Sequence, residues 1–238
     1  MKVIHMISGP RNLSTAIMYS FNNRKDCVCV DEPYYANYLS NVEIEHPGKK
    51  EILSSLPIRE ENVPKCWEEK DTAIVFIKNM AQHLRKGMSV EFMRDMQNFL
   101  LIRHPKQLIA SFAEVIPQPT LRDIGLKRSY EILNWLKEQN LHVFVLDSGD
   151  LLDDPKEILI KMCQNLNIPF DENMLHWESG PKAIDGVWAP YWYANVHKST
   201  GFQKQRSSDR PLSTHCQDLY QEAIQYYNEL RKFAITKD

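Results

Sequence analysis

The stretch "KVIHMISGPRNLSTAIMYSF", residues 2–21, decides the fold of this chain. An apolar run from Val3 to Ile7 predicts a strand, and apolar residues at helical spacing from Leu13 to Phe21 predict a helix. A strand, a short polar turn and a helix in this order can direct unpaired backbone amides and the positive end of the helix dipole towards an anion. The stretch therefore indicates a phosphate-binding loop, with an ordinary strand-to-helix turn as the alternative.

Side chains in this turn are suited to the same task. Arg11 could add a forked positive charge, and Ser14, a plausible N-cap, could join Thr15 in donating from a hydroxyl. The turn lacks the Gly-Lys-Ser/Thr ending that places a lysine and a magnesium-binding hydroxyl in ATPases and GTPases. The pattern therefore disfavours a nucleoside triphosphatase. In the alternative interpretation, Arg11 is a solvated surface charge.

Composition bounds the class of protein. The 238 residues are 43% apolar and 25% charged, with a formal net charge of -2, which is ordinary for a globular domain and does not point to nucleic acid or an anionic membrane. The five cysteines are odd in number and irregularly spaced, which favours a reducing compartment over a disulfide framework. Since no segment reaches the roughly 18 apolar residues of a membrane span, we expect a cytoplasmic protein.

Five apolar runs alternate with helical patterns along the chain. Most of the runs are continuously apolar, which is typical of parallel strands covered on both faces. They span residues 2–7, 27–33, 72–78, 98–103 and 142–147. The predicted fold class is α/β, a three-layer sandwich with a central parallel sheet. Ligands of such sheets lie at the carboxyl ends of the strands, so functional residues are expected there.

Two regions interrupt the alternation within what we predict to be a single domain, residues 1–238. Residues 34–71 are polar and irregular and predict a cap or an insertion. Residues 178–211 form a long loop with several glycines, prolines and aromatic residues, and loops of this kind are usually functional. We expect this loop to cover a nucleotide or substrate. From Thr214 onwards, an apolar face at helical spacing predicts a closing amphipathic helix.

The fourth apolar run adds a second anion-binding pattern. In "NFLLIRHPKQLIASF", residues 98–112, a buried strand ends on Arg103 and a helix starts with Pro105 near its first position. Ser111 follows Arg103 by eight residues, about two helical turns into that helix. The two side chains can converge on one phosphate. The alternative for the pair is a salt bridge of Arg103 and a solvent-facing Ser111.

The strand, the Arg-x-Pro-Lys sequence and the serine eight positions after the arginine resemble the 3'-phosphate motif of the sulfotransferases. "SGPRNLSTAIMYSF", residues 8–21, resembles the 5'-phosphosulfate loop of that family, and residues 145–177 are similar to its segment after the last parallel strand. "HKSTGF", residues 197–202, resembles the glycine-bearing loop that closes over the nucleotide. The four motifs occur in the family's order over most of the chain.

The resemblance implies a P-loop nucleoside triphosphate hydrolase-like fold and 3'-phosphoadenosine 5'-phosphosulfate as the sulfuryl donor. It implies that Arg103 and Ser111 hold the 3'-phosphate, and that no metal is needed where arginines and amides stabilise the transferred charge. The remaining nucleotide contacts that it implies are Arg11, Asn12, Leu13, Ser14 and Thr15 at the 5'-phosphosulfate, and Ser199, Thr200 and Gly201 from the late loop.

The acceptor side departs from the family pattern. Many members carry a histidine as general base, two residues after a lysine near the end of the third strand. Here Lys78 has the place of that lysine, but Met80 stands at the histidine position. Two substitutes for the base are Glu32, where some branches of the family place a glutamate, and His83, if a helix starts after the third strand. Lys78 could polarise the leaving oxygen; the alternative is a strand-end lysine paired to a carboxylate.

The acceptor itself stays open at this point. A hydroxyl or amine of a small molecule or a glycan is compatible with the motifs, and the tyrosines of the predicted cap could line its pocket together with the aromatic residues of the long loop. The sequence leaves two other classes of protein open. One is a small-molecule kinase that binds a nucleoside triphosphate with magnesium. The other is a non-catalytic relative that keeps the nucleotide pocket, an option that Met80 favours.

Overall fold

Five parallel strands form the centre of the molecule. The computed structural model describes residues 1–203 and 212–236, and these residues contain one sheet with the strand order β2-β3-β1-β4-β5. The strands are β1 (Lys2–Ser8), β2 (Cys27–Asp31), β3 (Ile74–Met80), β4 (Gln97–Ile102) and β5 (Val143–Asp147). Every neighbouring pair is parallel. The predicted α/β class and the five predicted strands are confirmed.

Helices connect and cover these strands. The longest are α1 (Ser14–Asn22), α5 (Pro105–Phe112), α7 (Leu126–Glu138), α9 (Pro155–Asn165) and α11 (Thr214–Arg231). The short ones are α2 (Tyr35–Ser40), α3 (Lys49–Ser55), α4 (Lys65–Glu68), α6 (Leu121–Ile124), α8 (Ser148–Asp153) and α10 (Ala189–Trp192). Pro105 opens α5 and Thr214 opens α11, as the sequence predicts.

Alternate residues of each strand enter two separate cores. In β4, Phe99 and Leu101 pack on one face of the sheet with α1 and α9. Leu100 and Ile102 pack on the other face with α5, α7 and α11. Because both faces of the strands are covered, the strands read as continuous apolar runs, and the three-layer sandwich is confirmed.

The connections after β1 and β4 leave the sheet on opposite faces. The two strands are hydrogen-bonded neighbours, but α1 belongs to one core and α5 to the other. A crevice therefore opens between the carboxyl ends of β1 and β4, at the point where the strand order reverses.

The two irregular regions pack against each other. Residues 34–71 contain α2, α3 and α4, and Tyr35 and Ile52 share an apolar cluster with Trp188 and Tyr193 of the long loop. The last part of that predicted loop, residues 204–211, lies outside the described residues. Within the described ranges, no helix is long and apolar enough to cross a membrane.

The start of α1 differs from the sequence prediction. Ser14 is the first helical residue and not the N-cap, which is Leu13 in a left-handed conformation with φ of 70°. Arg11 is also left-handed, with φ of 58°. Two such residues turn the chain sharply enough to enter the helix directly, and no side chain of the described residues caps the amides at its N-terminus. These amides are therefore available to a ligand.

Candidate active site

A cavity of about 630 Å³ lies where the strands end. Its wall contains residues that follow β1, β2, β3 and β4, together with residues of the long loop. The predicted site residues among them are Arg11, Leu13, Ser14, Thr15, Glu32, His83, Arg103, Ser111, Ser199 and Gly201. Asn12, Lys78 and Thr200 are not part of the wall. The volume is in the range of a pocket for small ligands.

The structure brings the two predicted anion-binding patterns together. Arg11 Nε donates to Ser111 Oγ at 3.0 Å, and Arg103 Nη1 donates to the carbonyl oxygen of Arg11 at 2.8 Å. The loop after β1 and the helix after β4 thus form one end of the cavity, which we call the cationic end: Arg11, Ser14, Thr15, Arg103 and Ser111. Arg103 and Ser111, which the sequence predicts to hold one phosphate, both line this cavity.

Burial shapes the charge at the cationic end. It lowers the pKa of Arg11, and it lowers the pKa of Arg103 together with the repulsion from Arg11. Within residues 1–203 and 212–236, the hydrogen-bond acceptors of Arg11 are the Ser111 hydroxyl and the Trp192 carbonyl, at 3.0 and 3.5 Å, and no carboxylate pairs with it. An anion in the cavity would therefore relieve an electrostatic cost that the protein bears.

Asn12 holds the loop in place and does not face the cavity. Its side chain is 1% exposed, and its Nδ2 donates to the carbonyl oxygen of Leu101 in β4 at 3.1 Å. The side chain therefore fixes the position of the turn relative to the sheet. A nucleotide contact of Asn12 can come only from its backbone.

The late loop contributes two of its three predicted residues to the wall. Ser199 Oγ accepts from Trp177 Nε1 at 3.2 Å, and Gly201 forms a bridge with His176. A Cβ atom at Gly201 would lie 2.9 Å from the carbonyl oxygen of Leu175, so this close approach requires glycine. The side chain of Thr200 is exposed and faces away from the cavity.

Glu32 stands at the opposite side of the cavity, directly after β2. It is 5% exposed and left-handed, with φ of 42°. Its Oε1 lies 2.7 Å from Lys78 Nζ, which also donates to Asp31 Oδ1 at 2.6 Å. Lys78 is completely buried between the two carboxylates, so the structure places its ammonium next to Glu32 and not in the wall where a leaving group would lie.

Tyr193 completes this network. The sequence predicted only an aromatic lining from the long loop and gave the hydroxyl of Tyr193 no role. Its hydroxyl accepts from Lys78 Nζ at 2.5 Å and from Trp188 Nε1 at 3.0 Å. The same hydroxyl lies 2.7 Å from Asp31 Oδ2 and 3.4 Å from Glu32 Oε1. The only sequence signal was the Asp-Glu pair at the end of a strand, which calls for a buried cation but does not identify a tyrosine 161 residues away.

The environment of Glu32 tunes its acidity. Burial raises the pKa of Glu32 to about 7, with a further upward contribution from Asp31, while Lys78 and Tyr193 act in the downward direction. A carboxylate with this pKa is suited to accept and release a proton near neutral pH.

His83 lies beside Glu32 on a short 3₁₀ turn, Ala81–His83, since β3 continues to Met80 and no α-helix starts there. Its Nδ1 is 3.6 Å from Glu32 Oε2 and has no hydrogen-bond partner among the described residues. Burial lowers the pKa of His83 well below its ordinary value. The ring is therefore neutral at neutral pH.

Aromatic rings cover the wall between Glu32 and the cationic end. His83 stacks on Tyr35 and Tyr38, with ring centroids 4.2 and 5.0 Å apart. Met80, at the position of the family's histidine, also lines the cavity and is 7% exposed. We call the group Tyr35, Tyr38, His46, His83, Phe112, Trp188 and Trp192 the aromatic wall.

The chain matches known sequences over nearly its whole length. The sulfotransferase domain model matches residues 1–234. Two relatives from Arabidopsis thaliana, named branched-chain-amino-acid aminotransferase-like proteins 2 and 1, are 35% and 36% identical over 233 and 232 residues. The alignments cover 97% of this chain and 42% of each relative, so the chain spans less than half the length of the curated relatives it matches.

Solved structures share the fold. The sulfotransferase domain from the curacin biosynthetic pathway superposes with a TM-score of 0.58 at 17% identity, covering 93% of this chain and 96% of that chain. A sulfotransferase from Alicyclobacillus acidocaldarius gives a TM-score of 0.53 at 11% identity, covering 100% of this chain and 98% of that chain. These matches confirm the predicted P-loop-like sulfotransferase fold. With the family model matching nearly the whole length, the chain belongs to the sulfotransferase family of transferase enzymes.

Proposed function

We propose that the protein transfers a sulfuryl group from 3'-phosphoadenosine 5'-phosphosulfate to an acceptor hydroxyl, with Glu32 as the general base. The observation that carries this proposal is the convergence of Arg11 and Arg103 on one crevice, with Glu32 across the same cavity. A small-molecule or glycan acceptor, a cytoplasmic location and the absence of a nucleic-acid or membrane partner belong to the same proposal.

The residues of the cationic end fit the donor. Arg11, the uncapped amides at the start of α1 and the hydroxyls of Ser14 and Thr15 would hold the 5'-phosphosulfate. Arg103 and Ser111 would hold the 3'-phosphate, and the late loop would approach the nucleotide through Ser199 and Gly201. When bound, the donor supplies a sulfuryl group on a good leaving group. Fixed cations and amides stabilise the charge that develops during its transfer.

The bond changes are those of a single displacement. The acceptor oxygen forms a bond to sulfur, its proton goes to the Glu32 carboxylate, and the bond between sulfur and the 5'-phosphate oxygen breaks with its electron pair leaving on that phosphate. Glu32 is the better of the two candidate bases because burial brings its pKa to about 7, whereas the pKa of His83 is lowered well below 6.5.

Lys78, Asp31 and Tyr193 are positioning residues in this proposal. Lys78 and Tyr193 keep the Glu32 pKa from rising further, and Asp31 fixes the lysine from the other side. Asp31 Oδ2 also accepts from the backbone amide of Gly186 at 3.1 Å. The long loop is thereby attached to the same network that controls the base.

A thermal-shift comparison tests the donor assignment. Adenosine 3',5'-bisphosphate should raise the melting temperature, since a ligand that binds only the native state stabilises it. ATP with magnesium should raise it less. A larger shift with ATP and magnesium would favour the kinase instead. A shift with the bisphosphate but no sulfuryl transfer to any acceptor would favour the non-catalytic alternative.

A further inference from the structure

We propose that Asp185 is a positioning residue for nucleotide binding, which anchors the late loop to helix α1 from outside the cavity. This inference rests on the proposed use of 3'-phosphoadenosine 5'-phosphosulfate and adds to it the residue that fixes one side of the donor site. We call Tyr19, Asp185 and His197 the Asp185 anchor.

The Asp185 carboxylate joins three segments of the chain. The Tyr19 hydroxyl on α1 lies 2.7 Å from Asp185 Oδ1 and 2.8 Å from Asp185 Oδ2. His197 Nε2 donates to Oδ2 at 3.0 Å, and the backbone amide of Lys182 donates to the same oxygen at 2.8 Å. The Asp185 side chain is 6% exposed. An ionised acceptor holds its donors more strongly than a neutral one, so this carboxylate is suited to tie the segments together.

The Tyr19 hydroxyl is a lasting donor in the anchor. Tyr19 is 1% exposed. Burial raises the pKa of Tyr19, and the hydrogen bond to Asp185 and its negative charge raise that pKa further. The hydroxyl therefore keeps its proton around neutral pH and donates it to the carboxylate.

Both elements that the anchor joins line the cavity. Tyr19 lies five residues after Ser14, on the helix whose N-terminus is proposed to hold the 5'-phosphosulfate. His197 lies two residues before Ser199, which is proposed to approach the nucleotide from the late loop. None of the three anchor residues belongs to the wall that the described residues form. The anchor therefore sets the distance between two sides of the donor site without touching the donor.

The turn that carries Asp185 is itself held in place. The backbone amide of Asp185 donates to the Lys182 carbonyl at 3.1 Å, and the amide of Gly186 donates to Asp31 Oδ2 at 3.1 Å. A Cβ atom at Gly186 would lie 2.2 Å from the Trp188 ring, so this turn requires glycine. Asp185 thus accepts its hydrogen bonds from a fixed point in the long loop.

Other bonds hold the late loop on its far side. The backbone amide of Trp177 donates to the Thr200 carbonyl at 3.1 Å, and the amide of Gly180 donates to the His197 carbonyl. These bonds attach the loop to residues 176–180, and the anchor attaches it to α1. Without the anchor, a smaller fraction of molecules has the loop in the position that binds the nucleotide, and the apparent Kd rises as that fraction falls.

Calorimetry with the full chain and adenosine 3',5'-bisphosphate tests the anchor. Asp185→Asn removes the negative charge and one acceptor oxygen, and we expect the Kd for the bisphosphate to rise about tenfold. Asp26→Asn is the matched control and should leave this Kd unchanged. Asp26 also accepts two side-chain hydrogen bonds, from Arg24 at 2.9 Å each, but it precedes β2 and so lies at the end of the sheet opposite the cavity.

His197 offers a loss and a rescue at one position. His197→Leu removes the donor and should raise the Kd for the bisphosphate about three- to tenfold, whereas the side-chain amide in His197→Gln can donate from near the position of Nε2 and should keep the Kd within about twofold of the unaltered protein. An equal loss in both variants would contradict the role of this donor. The His197 side chain is 21% exposed, so this pair tests the anchor should Asp185→Asn fail to fold.

Hydrogen exchange without nucleotide separates the outcomes. Amides of residues 196–201 should exchange faster in Asp185→Asn and not in Asp26→Asn. If the unaltered protein does not bind the bisphosphate, the proposed function is overturned, while faster exchange in Asp185→Asn still supports the anchor. Faster exchange with an unchanged Kd overturns the role of Asp185 in nucleotide binding. Unchanged exchange and an unchanged Kd in both Asp185→Asn and His197→Leu overturn the whole inference.

Discussion

The two ends of the cavity differ in how their charged side chains are compensated. The cationic end places half-buried arginines on two strand-to-helix connections, and burial lowers the pKa of both, so an anion there would offset an electrostatic cost. The Glu32 end uses a closed network in which Lys78 is fully buried and both carboxylates are within 2.7 Å of its ammonium. In the proposed function, the first end holds the anionic donor and the second takes up one proton. Substitutions at the two ends should therefore change different measured quantities.

The largest effect is expected at the base. Glu32→Gln keeps the size of the side chain and leaves Asp31 to pair with Lys78, but it removes the proton acceptor. We expect kcat to fall by about 10²- to 10⁴-fold while Kd for adenosine 3',5'-bisphosphate stays unchanged. Steady-state kinetics and calorimetry measure the two quantities.

His83→Asn is the comparison that separates the two candidate bases. It should lower kcat much less than Glu32→Gln does, because the lowered pKa of the buried His83 ring makes it a weak proton acceptor. The reverse order of effects would assign the base to His83.

The next effect is expected at the 3'-phosphate. Arg103→Ala should raise the Kd for adenosine 3',5'-bisphosphate about ten- to hundredfold, which corresponds to the loss of one hydrogen bond to a charged group. Binding of adenosine 5'-monophosphate should change little, since it lacks that phosphate. Arg94→Ala, at an exposed arginine outside the cavity whose guanidinium lies over the Trp135 ring, serves as the control. An equal loss for both nucleotides would contradict the assignment.

A moderate effect on stability is expected from the turn itself. Asn12→Ala leaves the buried carbonyl of Leu101 without its donor and should lower the free energy of unfolding by about 1–3 kcal/mol. This corresponds to a fall in melting temperature of roughly 2–4 °C per kcal/mol in a chain of this size. Asn165→Ala removes a bond within α9 at a partly buried position and should cost less.

The smallest effect is expected in the pH profile. Deprotonated Glu32 is the active form, so kcat/KM should rise with pH through about 7. Tyr193→Phe removes a group that lowers the Glu32 pKa, and the midpoint of the rise should move to higher pH. The control Tyr130→Phe lies outside the cavity and should leave the midpoint in place. A midpoint moved to lower pH would contradict this role of Tyr193.

The cationic end is the part that could be predicted from sequence. Arg11 and Arg103 closely follow a strand end, Ser14 and Ser111 lie on the helices that come next, and parallel strands bring those ends to one edge of the sheet. The predicted N-cap, Ser14, was wrong. Leu13 adopts a left-handed conformation that no residue pattern indicates, and this places the N-cap one residue earlier.

The Glu32 end could be predicted only in part. The carboxylate and lysine follow from their strand ends, but the direction of the Lys78 side chain depends on two negative charges and a tyrosine that the long loop brings in. Likewise, the side chain of Asn12 is turned towards a β4 carbonyl and away from the ligand. Such orientations arise from packing between distant segments, which spacing along the chain does not encode.

The attachment of the long loop to Asp31 has a thermodynamic consequence. Trp188, Trp192 and Tyr193 belong to the segment that also carries Ser199 and Gly201, so the aromatic residues of the cavity and the residues proposed to contact the nucleotide are parts of one chain segment. A ligand that orders this segment from either side makes it easier for the other ligand to bind. Donor and acceptor should then increase each other's affinity by the same factor.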